Sequence, residues 1–269
     1  MEKDYRSFAS NIFSQNGEDG ILYELLTDLH IKDGFLVDIG AWNGIYISNI
    51  YRIWKNNPLF SALLIEPDRA RFKILKKIKK KNPNILISNN EINSNSNINT
   101  FIKNEFPNIN KDNFTLINID VDSCDYQILE QLQLEPKIII IEHTFNDDIY
   151  FEQITDNIGS SFYSIYKLAT SKGYKLVCDT HNSIFVRKDI CENMLVVNRD
   201  IKHLACTKSE LKDLQRIDAM GEVGSEIFFQ TSDYKKFIES ELMKNFTIID
   251  KIKRIVEKYI LRKQYFYVE

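Results

Sequence analysis

The sequence predicts an α/β fold, a seven-stranded and mostly parallel sheet with helices on both faces, followed by a helical C-terminal extension. Three observations carry this. Short apolar runs alternate with longer amphipathic segments, the pattern of strands joined by crossover helices. The run 137–142 is nearly pure isoleucine, and a strand that does not alternate is one buried on both faces. Two glycines close the first run, in Val37-Asp-Ile-Gly-Ala-Trp-Asn-Gly44, where a strand must turn sharply into a helix.

In chain order, residues 34–39 read as a buried first strand. Residues 43–55 read as a helix with Ile47, Ile50, Tyr51 and Trp54 on one face. The second strand is 60–66, and Asp68 is placed to cap the next helix, which ends in the basic run 76–81. Strands three and four are 84–88 and 114–120. The stretch 82–113 has twelve asparagines in 32 residues and otherwise reads as solvated surface. A helix over 126–132 precedes the fifth strand, 137–142. A helix over 160–172 stops at Gly173. Residues 174–178 and 183–187 form the last two strands, an antiparallel pair.

Beyond residue 190 helical segments dominate, at 207–216 and 234–262. The expected division is therefore a ligand-binding domain over 1–190 and a helical extension over 191–269. The last segment carries Ile248, Ile249, Ile252, Ile255 and Ile260 among lysines and arginines. Such a stripe can dock on a membrane surface. Packing on the main domain or on a second subunit needs only the same stripe, and makes a homodimer an expectation.

Composition narrows the function. The 269 residues are 43% hydrophobic and 27% charged, ordinary globular values that exclude wholesale disorder. A net charge of −3 gives no long-range attraction to nucleic acid. The four cysteines form no C-x-x-C pair, which speaks against structural zinc and against a disulfide framework. The N-terminus has no apolar signal core, and the purest apolar run, 138–141, is too short to span a bilayer. The expectation is a cytoplasmic protein without a transmembrane segment, acting on a small molecule.

Four groups of residues could carry chemistry. In the first, Gly40 allows the turn and a close backbone approach to a ligand, and Gly44 allows close packing of helix on strand. Trp42 stands where a G-x-G-x-x-G loop has its second glycine, which argues against NAD and its pyrophosphate. In the second, Glu66 ends the second strand 26 residues after Gly40, where an acid can accept both ribose hydroxyls of an adenosine ligand. In the third, Asp120, Asp122 and Asp125 follow the fourth strand, and Asp125 reads as a cap of the next helix. In the fourth, Glu142 and His143 follow the fifth.

With strands four and five adjacent, Asp120, Glu142 and His143 emerge at one edge. Oxygen ligands with one imidazole suit Mg²⁺ or Mn²⁺, which could activate an acceptor hydroxyl. Asp122 or His143 could instead act directly as a base. His181, before the last strand, either reaches this pocket or sits in a surface turn. His30 and His203 carry no signal.

The loop 38–44, then Glu66-Pro-Asp68, then Ile119-Asp-Val-Asp122 with Tyr126 resemble the FkbM-type methyltransferases. The resemblance is nearer to a branch that opens S-Q-x-G-E-D-G, here Ser14-Gln-Asn-Gly-Glu-Asp-Gly20. That branch also shows a Gly159-Ser-Ser161 segment and a final Asn182-Ser-Ile-Phe-Val-Arg187 strand, so the resemblance covers about residues 10–190. It implies a Rossmann-like class I methyltransferase fold with S-adenosylmethionine as donor, O-methylating sugars or related metabolites. Some related enzymes hold a divalent metal on acids after strands four and five.

Carried over by position, Asp38, Gly40, Asn43 and Gly44 would line the methionine end of the donor. Glu66 would hold the ribose and Asn90 lie near the adenine. Gln15 and Glu18 would stand close to the donor, with Asp120 between donor and metal. The implied acceptor is a sugar, sugar nucleotide or capsular-glycan precursor. The chain departs from the family pattern after Asp122, with Ser123-Cys124 where a glycine is usual. The rival readings are an NAD-dependent oxidoreductase or epimerase, and a non-catalytic assembly subunit that works through its C-terminal helices.

Overall fold

The computed structural model describes residues 3–191 and 200–216. The expected helix 234–262 lies outside them. A 3-10 turn at Tyr5–Phe8 leads to α1 (Glu18–Asp28), β1 (Gly34–Ile39), α2 (Tyr51–Asn56), β2 (Phe60–Ile65) and α3 (Arg69–Lys81). Then come β3 (Ile85–Ser88), α4 (Ile98–Glu105), β4 (Phe114–Ile119), α5 (Asp125–Gln131) and β5 (Ile138–Glu142). The described chain closes with α6 (Phe162–Ser171), β6 (Tyr174–Asp179), β7 (Asn182–Arg187), α7 (Lys188–Cys191), α8 (Ile201–Leu204) and α9 (Lys208–Arg216).

The seven strands form one sheet in the order β3-β2-β1-β4-β5-β7-β6. Strands β1 to β5 pair in parallel, and β7 runs antiparallel to both its neighbours. Successive residues of each central strand supply opposite faces. Val37, Leu63, Ile117 and Ile139 pack under α4, α5 and α6 through Ile102, Leu129 and Ile165. Leu36, Leu64, Leu116 and Ile140 pack under α1, α2 and α3 through Leu25, Trp54 and Leu75. A strand covered on both faces has no polar face to show, which is why β5 is isoleucine from 138 to 141. The fold is thus the Rossmann-like class I methyltransferase arrangement. The strand order reverses between β1 and β4, and open α/β sheets bind ligands at such a switch point, beyond the carboxyl ends of the strands.

Three expectations change. The helix expected over 43–55 begins only at Tyr51. Asn43 Oδ1 accepts the N–H groups of Ile45 and Tyr46, and Ser48 Oγ those of Ile50 and Tyr51. These side chains hold the backbone in turns in place of helix. Ile47 adopts φ +58° and is exposed, off the face of Ile50 and Trp54.

The asparagine-rich stretch is also more than solvated surface. It contains α4, whose Ile98 and Ile102 are buried. Asn99 there accepts from the N–H groups of Gln133 and Leu134 and donates to the Gln131 carbonyl. Asp125, finally, does not cap α5. Its carboxylate accepts the upstream N–H groups of Val121 and Ser123 and so ties down the loop after β4.

Residues 200–216 lie against the start of the chain. Arg6 pairs with Glu210 at 2.7 Å, Asn11 Nδ2 donates to the Leu214 carbonyl, and the Cys206 N–H donates to Asp179. No helix among the described residues is long and apolar enough to cross a membrane.

Candidate active site

A cleft of about 500 Å³ opens at the switch point. That lies within the range of roughly 300–1,000 Å³ usual for small-molecule sites. Its position follows from the turn after β1. The N–H groups of Gly40 and Ala41 donate to the Ile65 carbonyl, which folds the loop across the end of β2. Gly40 has φ +89°, and a Cβ there would stand 1.7 Å from the Asp120 carbonyl oxygen. Glycine is thus required where the loops after β1 and β4 meet. Gly44 serves packing, since its Cβ would meet Leu75 Cδ2 at 2.7 Å and Leu64 behind it.

Asp38, Gly40 and Glu66 line the cleft, and so do Gln15 and Asn90. Asp38 is buried and accepts from Asn118 Nδ2 at 2.8 Å. Asn118 Oδ1 in turn accepts from Asn49 Nδ2 at 3.0 Å, so the amide of Asn118 has one orientation. Burial pushes Asp38 up to about 7, against that hydrogen bond and with help from the Glu66 charge. Burial also raises Glu66, while the N–H of Asp68, donating to Oε1 at 2.7 Å, and Arg71 at 3.9 Å pull it back. Asp68 caps α3 as expected, accepting from Ala70 and Arg71. Trp42, with φ +48°, lines the cleft with the Arg71 guanidinium 5.1 Å from its ring.

Carboxylate oxygens of Asp120, Asp122 and Glu142 lie within 4.8 Å of one another. Burial raises Asp120, and the charges of Glu142, Asp125 and Asp122 raise it further. Burial, then Asp122, push Glu142 up to about 7, although a hydrogen bond with Asp120 opposes this. The donor set is all oxygen and suits Mg²⁺ or Mn²⁺. Asp122 itself adopts a positive φ, at +61°.

Several expected residues stand elsewhere. His143 is no part of the carboxylate group, and Asp122 takes its place there. The imidazole of His143 is buried with Nε2 2.8 Å from Asp179 Oδ1 and Nδ1 3.2 Å from the Thr144 carbonyl. Burial works against its charge, but Asp179 outweighs burial and raises His143, and the same pairing lowers Asp179. Both ring nitrogens thus face Asp179 and the Thr144 carbonyl and not the three clustered carboxylates. Asn43 and Gly44 do not line the cleft and shape the loop behind it. Glu18 is fully buried away from the cleft, accepting from Asn16 N–H, Thr180 Oγ1 and Asn182 Nδ2.

One residue was missed. Asn118 lay in the expected fourth strand without a role, and its position opposite Asp38 in the β1–β4 register shows it. His181 has Nδ1 3.9 Å from Glu142 Oε1, and only the pairing of β7 with β5 brings it there.

No family model matches the chain, and no curated protein matches it. Solved structures similar to it include the CurJ carbon methyltransferase, at 11% identity over 64% of this chain and 53% of that one with a TM-score of 0.43. An O-methyltransferase family protein from Burkholderia thailandensis is 11% identical over 62% of this chain and 56% of that one, with a TM-score of 0.41. An S-adenosylmethionine-dependent methyltransferase from Clostridium acetobutylicum ATCC 824 is 12% identical over 62% and 89%, with a TM-score of 0.40. The chain spans about half the length of the first two.

Proposed function

We propose that this chain is an S-adenosylmethionine-dependent O-methyltransferase of the FkbM type, acting on a sugar hydroxyl with help from a divalent cation. One observation carries the reading. The cleft at the switch point is lined by acids, Asp38 and Glu66 at the ends of β1 and β2, and Asp120, Asp122 and Glu142, whose oxygens cluster, at the ends of β4 and β5.

The pair after β1 and β2 suits the donor. Glu66, at the end of β2, accepts the ribose hydroxyls, and Asn90 borders the adenine. Asp38, held by Asn118, faces the methionine end. A carboxyl raised by burial is drawn back to its charged form by a cationic ligand, which the donor's ammonium would be. Gly40 keeps the backbone close to the ligand. S-adenosylmethionine, when bound, supplies a methyl group already activated by a positively charged sulfur, so the residues mainly align and desolvate.

The cluster after β4 and β5 suits a poor nucleophile. Asp120, Asp122 and Glu142 would hold Mg²⁺ or Mn²⁺, whose charge lowers the pKa of a bound hydroxyl. A sugar hydroxyl needs such help at neutral pH. Trp42, at the position where NAD's pyrophosphate needs a glycine, argues against the oxidoreductase reading.

The test is calorimetric titration with S-adenosylmethionine, S-adenosylhomocysteine and NAD, with and without Mn²⁺. Binding of the first two and not of NAD is expected. Binding of NAD alone overturns the reading. With Glu142→Gln, S-adenosylhomocysteine affinity should hold within about twofold while Mn²⁺ affinity falls about tenfold or more.

A further inference from the structure

We propose that Trp42 and Arg71 are positioning residues for Glu66, Trp42 clamping the Arg71 guanidinium beside the carboxylate that accepts the donor's ribose. This rests on the methyltransferase reading, which gives neither residue a task in binding S-adenosylmethionine.

A carboxylate accepts two ribose hydroxyls only while it is ionised, because a protonated carboxyl turns one of its oxygens into a donor. The surroundings of Glu66 work against its charge. Its side chain is 3% exposed, burial raises it, and the Asp68 carboxylate raises it further. Asp38, on β1, is a second acid whose charge is felt between the two. Six carboxylates line the cleft, and Arg71 is the one basic side chain that lines it with them. Opposing burial at Glu66 are the N–H groups of Asp68 and Trp42 and the charge of Arg71.

Arg71 needs to be held to act. Its side chain keeps 45% exposure, and its Nη1 stands 3.9 Å from Glu66 Oε1, longer than a hydrogen bond. An exposed ion pair is worth little unless its geometry is fixed. Two contacts fix it. Arg71 sits in the first turn of α3, where its N–H donates to the capping carboxylate of Asp68 at 2.8 Å. The guanidinium carbon lies 5.1 Å from the centre of the Trp42 ring, within reach of a cation–π attraction. The Tyr46 ring, 5.2 Å from that of Trp42, packs beside the indole. Trp42 adopts φ +48°, a conformation unfavourable for any residue but glycine, and such strain concentrates at ligand sites. In it one residue serves Glu66 twice, through its own N–H and through the cation on its ring. The loop after β1 and the first turn of α3 thus converge on the acid at the end of β2.

The test uses the full chain as wild type, Arg71→Gln, Arg71→Lys, Trp42→Ala, Glu66→Gln, and Glu66→Gln combined with Arg71→Gln. Carbon NMR of the ligand-free protein reads the pH at which the Glu66 carboxyl titrates, its signal assigned by its loss in Glu66→Gln. Calorimetry reads affinity for S-adenosylhomocysteine at about pH 5.5 and about pH 8.5, on either side of the range in which a raised carboxyl titrates. Asp38 titrates in every form, so the ratio of variant to wild type at each pH isolates Glu66. Arg71→Gln should raise the Glu66 midpoint, lower affinity about tenfold at the acid pH and change it less than about threefold at the alkaline one. Arg71→Lys, which keeps the charge, should recover most of the acid-side affinity. Trp42→Ala should move the midpoint in the same direction by a smaller amount. In the Glu66→Gln background Arg71→Gln should alter affinity less than about twofold, since its partner is gone. An unmoved midpoint in Arg71→Gln overturns the proposal, and so does a loss of affinity equal at both pH values. A midpoint that moves in Arg71→Gln and stays in Trp42→Ala overturns the clamp. A wild type that binds no S-adenosylhomocysteine while its Glu66 midpoint depends on Arg71 and Trp42 fails the donor reading and upholds the pair.

Discussion

On the β1–β2 side of the cleft most polar groups are fixed by near neighbours in sequence, whereas on the β5–β7 side they are fixed from far away. Glu66 is held by the N–H of Asp68, and Asn43 by Ile45 and Tyr46. His143 is held by Asp179, 36 residues on, and the His181 turn by Glu18, more than 160 residues back. The first side is a short motif that any chain can carry in one piece. The second exists only after β7 has inserted between β5 and β6. Donor binding should therefore respond to local changes after β1 and β2, and transfer to changes in distant partners.

The largest expected effect breaks the meeting of the two sides. Gly40→Ala puts a methyl group into the Asp120 carbonyl at a positive φ. The loops must separate, at a cost of about 4 kcal/mol or more. Thermal unfolding should show that loss, and S-adenosylhomocysteine affinity should fall at least about 100-fold. A variant that is stable and binds normally would mean the loops need not touch.

Next comes the distant pair. His143→Ala leaves Asp179 buried without its cation, at a cost of about 3 kcal/mol by urea unfolding. The pH dependence has a definite sign. His143 is raised above 6.5, so its contribution is complete below 6.5 and lost as pH climbs through the folded value. Asp179 is lowered below 3.8, so its share is present above 3.8 and lost only in stronger acid. The pair is strongest between these limits, and wild-type stability should decline on the alkaline side. A His143→Ala profile that declines equally there would assign the decline to other groups.

These two variants also mark what could be read from sequence. The strands, their order of appearance, the Asp68 cap, Gly40 and Glu66 were legible because each is written within a few residues. The isoleucines of β5 announced a central strand because burial on both faces leaves no other composition. The start of α2 was missed because Asn43 and Ser48 satisfied the backbone in turns, and side-chain hydrogen bonds leave no periodicity. His143 was misplaced because sequence puts it beside Glu142 and says nothing of Asp179. Adjacent residues at a strand end point to opposite sides, so of these two only Glu142 could face the cleft.

Asp38 sharpens the comparison from the donor side, since it is the group there with a distant partner. Burial raises it from 3.8 to about 7. The unfolded chain ionises first, so stability falls as pH rises from 3.8 toward 7 and is level beyond. Asp38→Asn keeps the oxygen that accepts from Asn118 and removes the charge. It should stabilise the ligand-free protein at pH 8 by about 2 kcal/mol and flatten the profile between those values. S-adenosylhomocysteine affinity should nevertheless drop about tenfold or more. Lost affinity without gained stability would show that Asp38 is not costly as it stands.

The smallest expected effect separates a helix cap from the site beside it. Asp68 has two jobs on different atoms, its side chain capping α3 and its N–H donating to Glu66 Oε1. Asp68→Ala deletes the cap and keeps the N–H, so stability should fall by about 1 kcal/mol. Glu66 keeps its orienting bond, and S-adenosylhomocysteine affinity should change less than about twofold. A larger loss, measured by the same calorimetry, would mean that the frayed first turn carries Arg71 away from Glu66. The donor side would then depend on the whole turn of α3, and its locality would extend over one helical turn instead of two residues.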